Sequence, residues 1–276
     1  MATLSITQAW NETAEFVRRE AGLLLPVSFM LLALPNALME LLIPPPPMPG
    51  QAPEPGLWLL LVPLRVVAGM IGNVAISYLA IRPGSSVGEA LRRGAARMPA
   101  LLGAAILLGI AFVVLFFIVA LFVAMLVPGA MTAAQGGAPT PAMLRAILYV
   151  MLIIAPVAIY FAARLMVMTP AAAAESGGPF DLIARSWGLT AGHVWKLVGF
   201  LLLVAILIGI LTATIEVVAG ILFALLAGPI RPGSTSTLLV VIVMALVNMV
   251  VGAYLASFVA RIYAQLSGAG TSEVFA

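Results

Sequence analysis

The chain has 276 residues, of which 63% are hydrophobic and only 8% charged; its mean hydropathy is +1.20 and its formal net charge +3. Soluble domains carry about 25% charged residues, so a water-facing surface could not be covered, and the composition reads as that of an integral membrane protein. There is no cysteine, which excludes disulfides and thiolate metal sites.

Six long apolar runs follow one another, at roughly 22–43, 57–82, 98–127, 143–169, 194–227 and 236–264. A spanning helix needs about 20 apolar residues. Backbone polar groups find no water in lipid, so helices are the expected solution, and continuous runs rather than short alternating ones argue against a barrel. The expected fold is all-α and polytopic: one membrane domain over residues 1–276 with six transmembrane helices and three short cytoplasmic interfacial amphipathic helices.

In chain order, residues 5–20 come first. Ile6, Ala9, Trp10, Thr13 and Val17 share one face of a helix, with Glu12, Glu15 and Arg19 away from it. This is the pattern of a helix lying in the headgroup region. Because this polar, partly acidic stretch precedes the first apolar run, that run is expected to be a retained span rather than a signal peptide. Asn11-Glu12-Thr13 matches a glycosylation sequon but is expected to face the cytoplasm. Span one carries Glu40 near its outer end. Pro44 to Gly56, PPPPMPGQAPEPG, is expected to be polyproline-like. Span two carries Arg65. A second interfacial helix is expected at 86–97, with Val87, Ala90 and Leu91 opposed to Arg92, Arg93 and Arg97, a basic patch suited to anionic headgroups. Span three leads to the flexible loop PGAMTAAQGGAPTPA, and span four carries Arg164 in its cytoplasmic third.

The most polar stretch is Gly177 to Lys196, GGPFDLIARSWGLTAGHVWK, which holds the only lysine and the only histidine. A third interfacial helix is expected at 178–190, with Phe180, Ile183, Ala184 and Trp187 on its apolar face and Asp181 and Arg185 elsewhere. Asp181 in the first turn complements the helix dipole. Trp195 and Lys196 suit the mouth of span five as belt aromatic and snorkelling cation, with His193 beside them at a headgroup or backbone contact. Span five carries Glu216. The loop GPIRPGS, from Gly228, leads to span six. Interfacial helix, span out, loop, span back occurs three times, which suggests a threefold internal repeat.

Cationic residues set the orientation. Arg18, Arg19, Arg82, Arg92, Arg93, Arg97, Arg185, Lys196 and Arg261 lie at one set of ends, whereas the proline-rich loops hold only Arg231, with Arg145 just inside span four. Cytoplasmic segments carry the Lys and Arg excess, so both termini are expected in the cytoplasm.

The run from Arg164, RLMVMTPAAAAESGGPFDLIARSWGLTAGHVWKLVGF, resembles the membrane domain of some bacterial glycerophosphodiester phosphodiesterases and related stand-alone multi-pass proteins of the inner membrane. The features that carry it are Arg164, Pro170, Glu175 to Pro179, Arg185 to Trp187, Leu189-Thr190, Gly192 and Trp195-Lys196. The resemblance implies a helical domain of the bacterial inner membrane. It does not imply the phosphodiesterase, which in that family belongs to a separate soluble domain with metal-binding carboxylates and histidines that this chain has no room for.

No catalytic residue, metal or cofactor is expected. A lone His193 lacks converging partners. Gly84-Ser-Ser-Val-Gly88 matches G-x-S-x-G, but a membrane span rather than a strand precedes it, so a capped turn is expected. No P-loop or dinucleotide fingerprint occurs, and the short basic patch at a membrane surface speaks against nucleic acid. Glu40, Arg65, Arg164 and Glu216 each need a partner or water inside the bilayer; Arg65 is a plausible mate for Glu216 or Glu40, lining a polar path or fixing packing. Small pairs at Ala68/Gly72 and Gly252/Ala256 allow close helix contact, within the chain or between copies. The expected partners are membrane lipids, with a protein partner or a second copy as further candidates. The function expected first is non-enzymatic, in envelope or lipid organisation; the second is a small transporter or channel using Arg65 and Glu216; the third is an intramembrane enzyme acting on lipids.

Overall fold

A computed structural model of the chain describes residues 4–44, 55–127 and 140–268. Most of Pro44–Gly56 and of 128–142 lies outside these residues. Among the described residues the chain is helical, without strands, and six helices are long and apolar enough to cross a membrane.

The first span is broken in a way its prolines explain. After α1 (Ile6–Arg19) come α2 (Ala21–Ser28), a π turn at Phe29–Ala33 and α3 (Leu34–Leu42). Pro26 and Pro35 flank that turn. Each removes a helical donor, and a wide turn accommodates the mismatch. Asn36 Nδ2 donates to the Leu32 carbonyl at 2.6 Å, supplying a donor where lipid supplies none. The turn also packs inward: Ser28 Oγ donates to the Met249 carbonyl at 2.6 Å. Gly72 and Gly252 both face it, and a Cβ on Gly72 would stand 2.8 Å from Leu31 Cβ. These small residues therefore serve contacts inside the chain.

A 3-10 turn (Leu57–Leu60) leads into α4 (Leu61–Ile81), and α4 runs to α5 (Val87–Leu126). Here the structure departs from expectation. Residues 86–97 are no separate interfacial helix but the first turns of a 40-residue helix, roughly 60 Å long at about 1.5 Å per residue. Ser86 and Glu89 form a reciprocal capping box that starts it. This is the capped turn expected of the G-x-S-x-G match. Pro99 is carried inside the helix; Ala95, whose carbonyl loses its donor, is exposed. Then follow α6 (Pro141–Leu165), α7 (Met168–Ala174), α8 (Pro179–Leu189), α9 (Val194–Ala227) and α10 (Thr235–Ser267).

Ser5 N–H donates to Gln265 Oε1 at 3.1 Å, so the described chain begins and ends at one end of the bundle, the terminal end below. The core sits there. Ala163, Val167, Ala171, Leu182, Leu197, Phe200, Phe258 and Ile262 form one cluster, and Phe16, Leu24, Ala75, Ile76, Leu79, Ala90 and Ala253 another. By contrast, no residue is buried along 105–122 of α5, 151–162 of α6 or 201–218 of α9. Three spans are thus packed at the terminal end and bare along their middles, where Ile110, Phe117, Leu152, Ile206 and Ile210 are exposed. Apolar side chains of this kind are solvated by lipid tails.

Candidate functional site at the terminal end

The polar side chains that the fold gathers lie where α5, α6, α7 and α8 meet. α7 is short, and its last carbonyls have no partner within the helix. Arg93 and Arg97, one turn apart on α5, supply the partners. Arg93 Nε donates to the Ala173 carbonyl at 2.9 Å and its Nη2 to the Glu175 carbonyl at 2.8 Å. Arg97 Nε donates to the Ala172 carbonyl at 3.1 Å and its Nη2 to the Gly177 carbonyl at 2.7 Å. Two cations at a helix C-terminus also suit its dipole. These two arginines, expected at lipid headgroups, are turned inward onto carbonyls, while Arg92 is exposed. The sequence held a signal for this: Ala90, Arg93, Gly94, Arg97 and Leu101 share one helical stripe, and Ala90, Gly94 and Leu101 are buried.

The segment after α7 is fixed by an ion pair. Arg185 Nε lies 2.8 Å from Glu175 Oε1, and the Tyr263 hydroxyl donates to the same oxygen at 2.6 Å. Burial pushes the Glu175 carboxyl up, but the Tyr263 and Arg185 hydrogen bonds and the Arg185 charge outweigh it, so the net shift is downward. The Glu175 bond likewise holds Arg185 above its ordinary value. Arg185 belongs to the polar stretch and Glu175 lies two residues before it, but nothing in the sequence pointed to Tyr263.

α8 packs on the bundle through a face other than the apolar one assigned to lipid. Leu182 and Ser186 are buried, whereas Phe180 is 71% exposed. Polar anchoring decides this. Ser186 Oγ donates to the Arg164 carbonyl at 2.8 Å and Thr190 Oγ1 to the same carbonyl at 3.2 Å. In return Arg164 Nη1 donates to the Trp187 carbonyl at 3.1 Å, and its guanidinium lies 4.4 Å from the Trp187 ring centroid. Trp187 packs on Phe161 at 5.3 Å and is half-buried. Arg164 therefore holds α8. His193 caps the start of α9 through its backbone, with Nδ1 buried and, among the described residues, without a hydrogen-bond partner; Trp195 and Lys196 are exposed. α1 presses Ala9, Thr13 and Phe16 inward, and Trp10 lies 4.7 Å from the Tyr254 ring.

The intramembrane charges are arranged otherwise than as a pair. Among the described residues the ion pairs are Arg19–Glu20 and Arg185–Glu175, so Arg65 meets neither Glu40 nor Glu216. Glu40 and Glu216 instead line one open cleft of about 520 Å³ with Thr237, Gly220 and Val241. At the terminal end a second cleft, of about 300 Å³, is lined by Tyr78, Arg82, Glu89, Arg92, Arg93 and Ala96. Among the described residues no group of three or more His, Cys, Asp and Glu side chains is placed to hold a metal.

Comparison with curated proteins and with solved structures gave no match. Residues 4–266 match the family described as Domain of unknown function (DUF7847), and since the match covers nearly the whole chain, the protein belongs to that family.

Proposed function

We propose that the protein is a non-enzymatic component of the bacterial inner membrane that contributes to envelope or lipid organisation through direct lipid contacts, with both termini in the cytoplasm. The observation that carries this reading is the division of the bundle. One end is packed, stapled and rich in guanidinium groups; the middles of α5, α6 and α9 expose a continuous apolar surface. Anionic headgroups at the first and acyl chains along the second match that division. Ten of the thirteen Lys and Arg residues lie at the terminal end; Arg65, Arg145 and Arg231 do not, which supports a cytoplasmic terminal end. The likeness of the stretch from Arg164 to phosphodiesterase-associated membrane domains supports the same setting. Native mass spectrometry of the purified chain tests the reading: phospholipids are expected to stay bound at activation energies that strip detergent, and a lipid-free spectrum would overturn it. The same spectrum counts subunits and retained protein partners.

A second reading, a small transporter or channel, draws on the cleft shared by Glu40 and Glu216. Two carboxylates facing one cleft in apolar surroundings suit a cation or a proton. Flux into proteoliposomes that is present in the natural chain and lost in a folded Glu216→Gln variant is the result that reading requires.

A further inference from the structure

We propose that the cleft between the end of α4 and the first turns of α5 binds a phosphate group, with Arg82, Arg92 and Tyr78 as its ligands. This deepens the lipid-contact reading and rests on it. Three guanidiniums line the cleft against a single carboxylate, that of Glu89. That carboxylate is already engaged, since Glu89 Oε2 accepts the Ser86 N–H at 3.2 Å. The cleft therefore keeps an excess of positive charge, three guanidiniums against one carboxylate.

The donors are also free to act. Arg92 is exposed and makes no hydrogen bond or ion pair among the described residues. Arg82 Nη1 donates to the Tyr78 hydroxyl at 3.3 Å, and its guanidinium stands 5.2 Å from that ring's centroid. The phenol both orients Arg82 and keeps its own O–H to donate. Arg93 forms the inner wall: its Nε and Nη2 are spent on the Ala173 and Glu175 carbonyls, so its charge is fixed in place and its Nη1 remains. A planar guanidinium matches phosphate oxygens two at a time. The volume of about 300 Å³ equals roughly ten waters of liquid, which admits a phosphate and its first substituents.

Depth decides which phosphate comes first. Tyr78 lies in the last turn of α4 and Arg82 caps that helix, so the cleft stands at the membrane edge of the second span, at headgroup level. An anionic phospholipid can place its phosphate there with its chains along the bundle. A free phosphate offers the same chemistry from the water side.

The full chain in detergent is titrated by native mass spectrometry with dioleoyl phosphatidylglycerol, with dioleoyl phosphatidylcholine, and with inorganic phosphate. Arg82→Gln combined with Arg92→Gln is compared with the natural chain; both side chains are exposed, and Arg93 is left intact to hold α7. The expected result is retention of phosphatidylglycerol about tenfold above phosphatidylcholine, lowered to the phosphatidylcholine level in the double variant while phosphatidylcholine is unchanged. Arg82→Lys with Arg92→Lys is expected to restore part of the preference. Binding of inorganic phosphate that the double variant abolishes, without preference between the lipids, supports the site and makes its ligand soluble. Lipids retained alike by both chains, with phosphate binding equally unaffected, overturn the site but not the lipid-contact reading. A natural chain that retains neither lipid but binds phosphate through these arginines overturns that reading and leaves the site.

Discussion

Arg92, Arg93 and Arg97 are separated by what each donates to. Arg97 satisfies the carbonyls of Ala172 and Gly177, whereas Arg92 satisfies none among the described residues. Leaving a buried acceptor without a donor costs about 1–3 kcal/mol, while an exposed surface change is usually within about 0.5 kcal/mol. Arg97→Gln is therefore expected to lower the melting temperature of the detergent-solubilised protein, and Arg92→Gln to leave it unchanged; equal effects would contradict the stapling role. Glu175 adds a pH dependence. Its carboxyl is held below the ordinary value of 4.5, so its contribution is fully present above that value and is lost as the pH falls through the lowered one. Over that acid range the natural chain is expected to lose stability that a Glu175→Gln variant, already lacking the charge, does not lose. The size is small, because Arg185 and Glu175 keep 44% and 36% of their side-chain surface exposed and solvent screens the pair. Melting curves measured across pH for the two chains decide it.

At the scale of elements, close approach between α4 and α5 depends on Gly94. A Cβ there would stand 2.6 Å from the Ile71 carbonyl oxygen, and backbone cannot swing aside as a flexible side chain can. Gly94→Ala is expected to cost about 1–3 kcal/mol through overpacking. Gly109→Ala on the same helix meets nothing within 4 Å and serves as the control; the two are separated by thermal unfolding in detergent. The six apolar runs were legible in the sequence because lipid imposes a length and an apolarity that no other environment demands together. The fusion of 86–97 with the third span was not, since the change from an amphipathic pattern with Arg92, Arg93 and Arg97 to an apolar run marks a change of surroundings and not a break in the helix. Nor was the inner face of α8: the apolar pattern marked the face of Phe180, Ile183, Ala184 and Trp187, whereas Ser186 is drawn inward by the Arg164 carbonyl. Hydrogen bonds to a backbone more than twenty residues away leave no period in the sequence. Arg93 and Arg97 were partly legible, through the stripe they share with buried Ala90 and Gly94, though not as partners of α7.

On the scale of the whole molecule, the protein is a bundle of six spans whose order is concentrated at the end where Ser5 meets Gln265. The middles of α5, α6 and α9 bury no residue and turn apolar side chains outward. This stapled, arginine-rich end is expected to lie wholly on one side of the membrane and the loop at Arg231 on the other. The chain has no cysteine, so single reporters can be introduced without background. Ala191 and Arg231 are both exposed and suit the purpose. Labelling of Ala191→Cys and Arg231→Cys with a membrane-impermeant maleimide, in intact cells stripped of their outer membrane and in inverted vesicles, is the most direct measurement. The expected result is reaction of Ala191→Cys only in inverted vesicles and of Arg231→Cys only in the cells. Reaction of both from the same side would contradict the bundle as described.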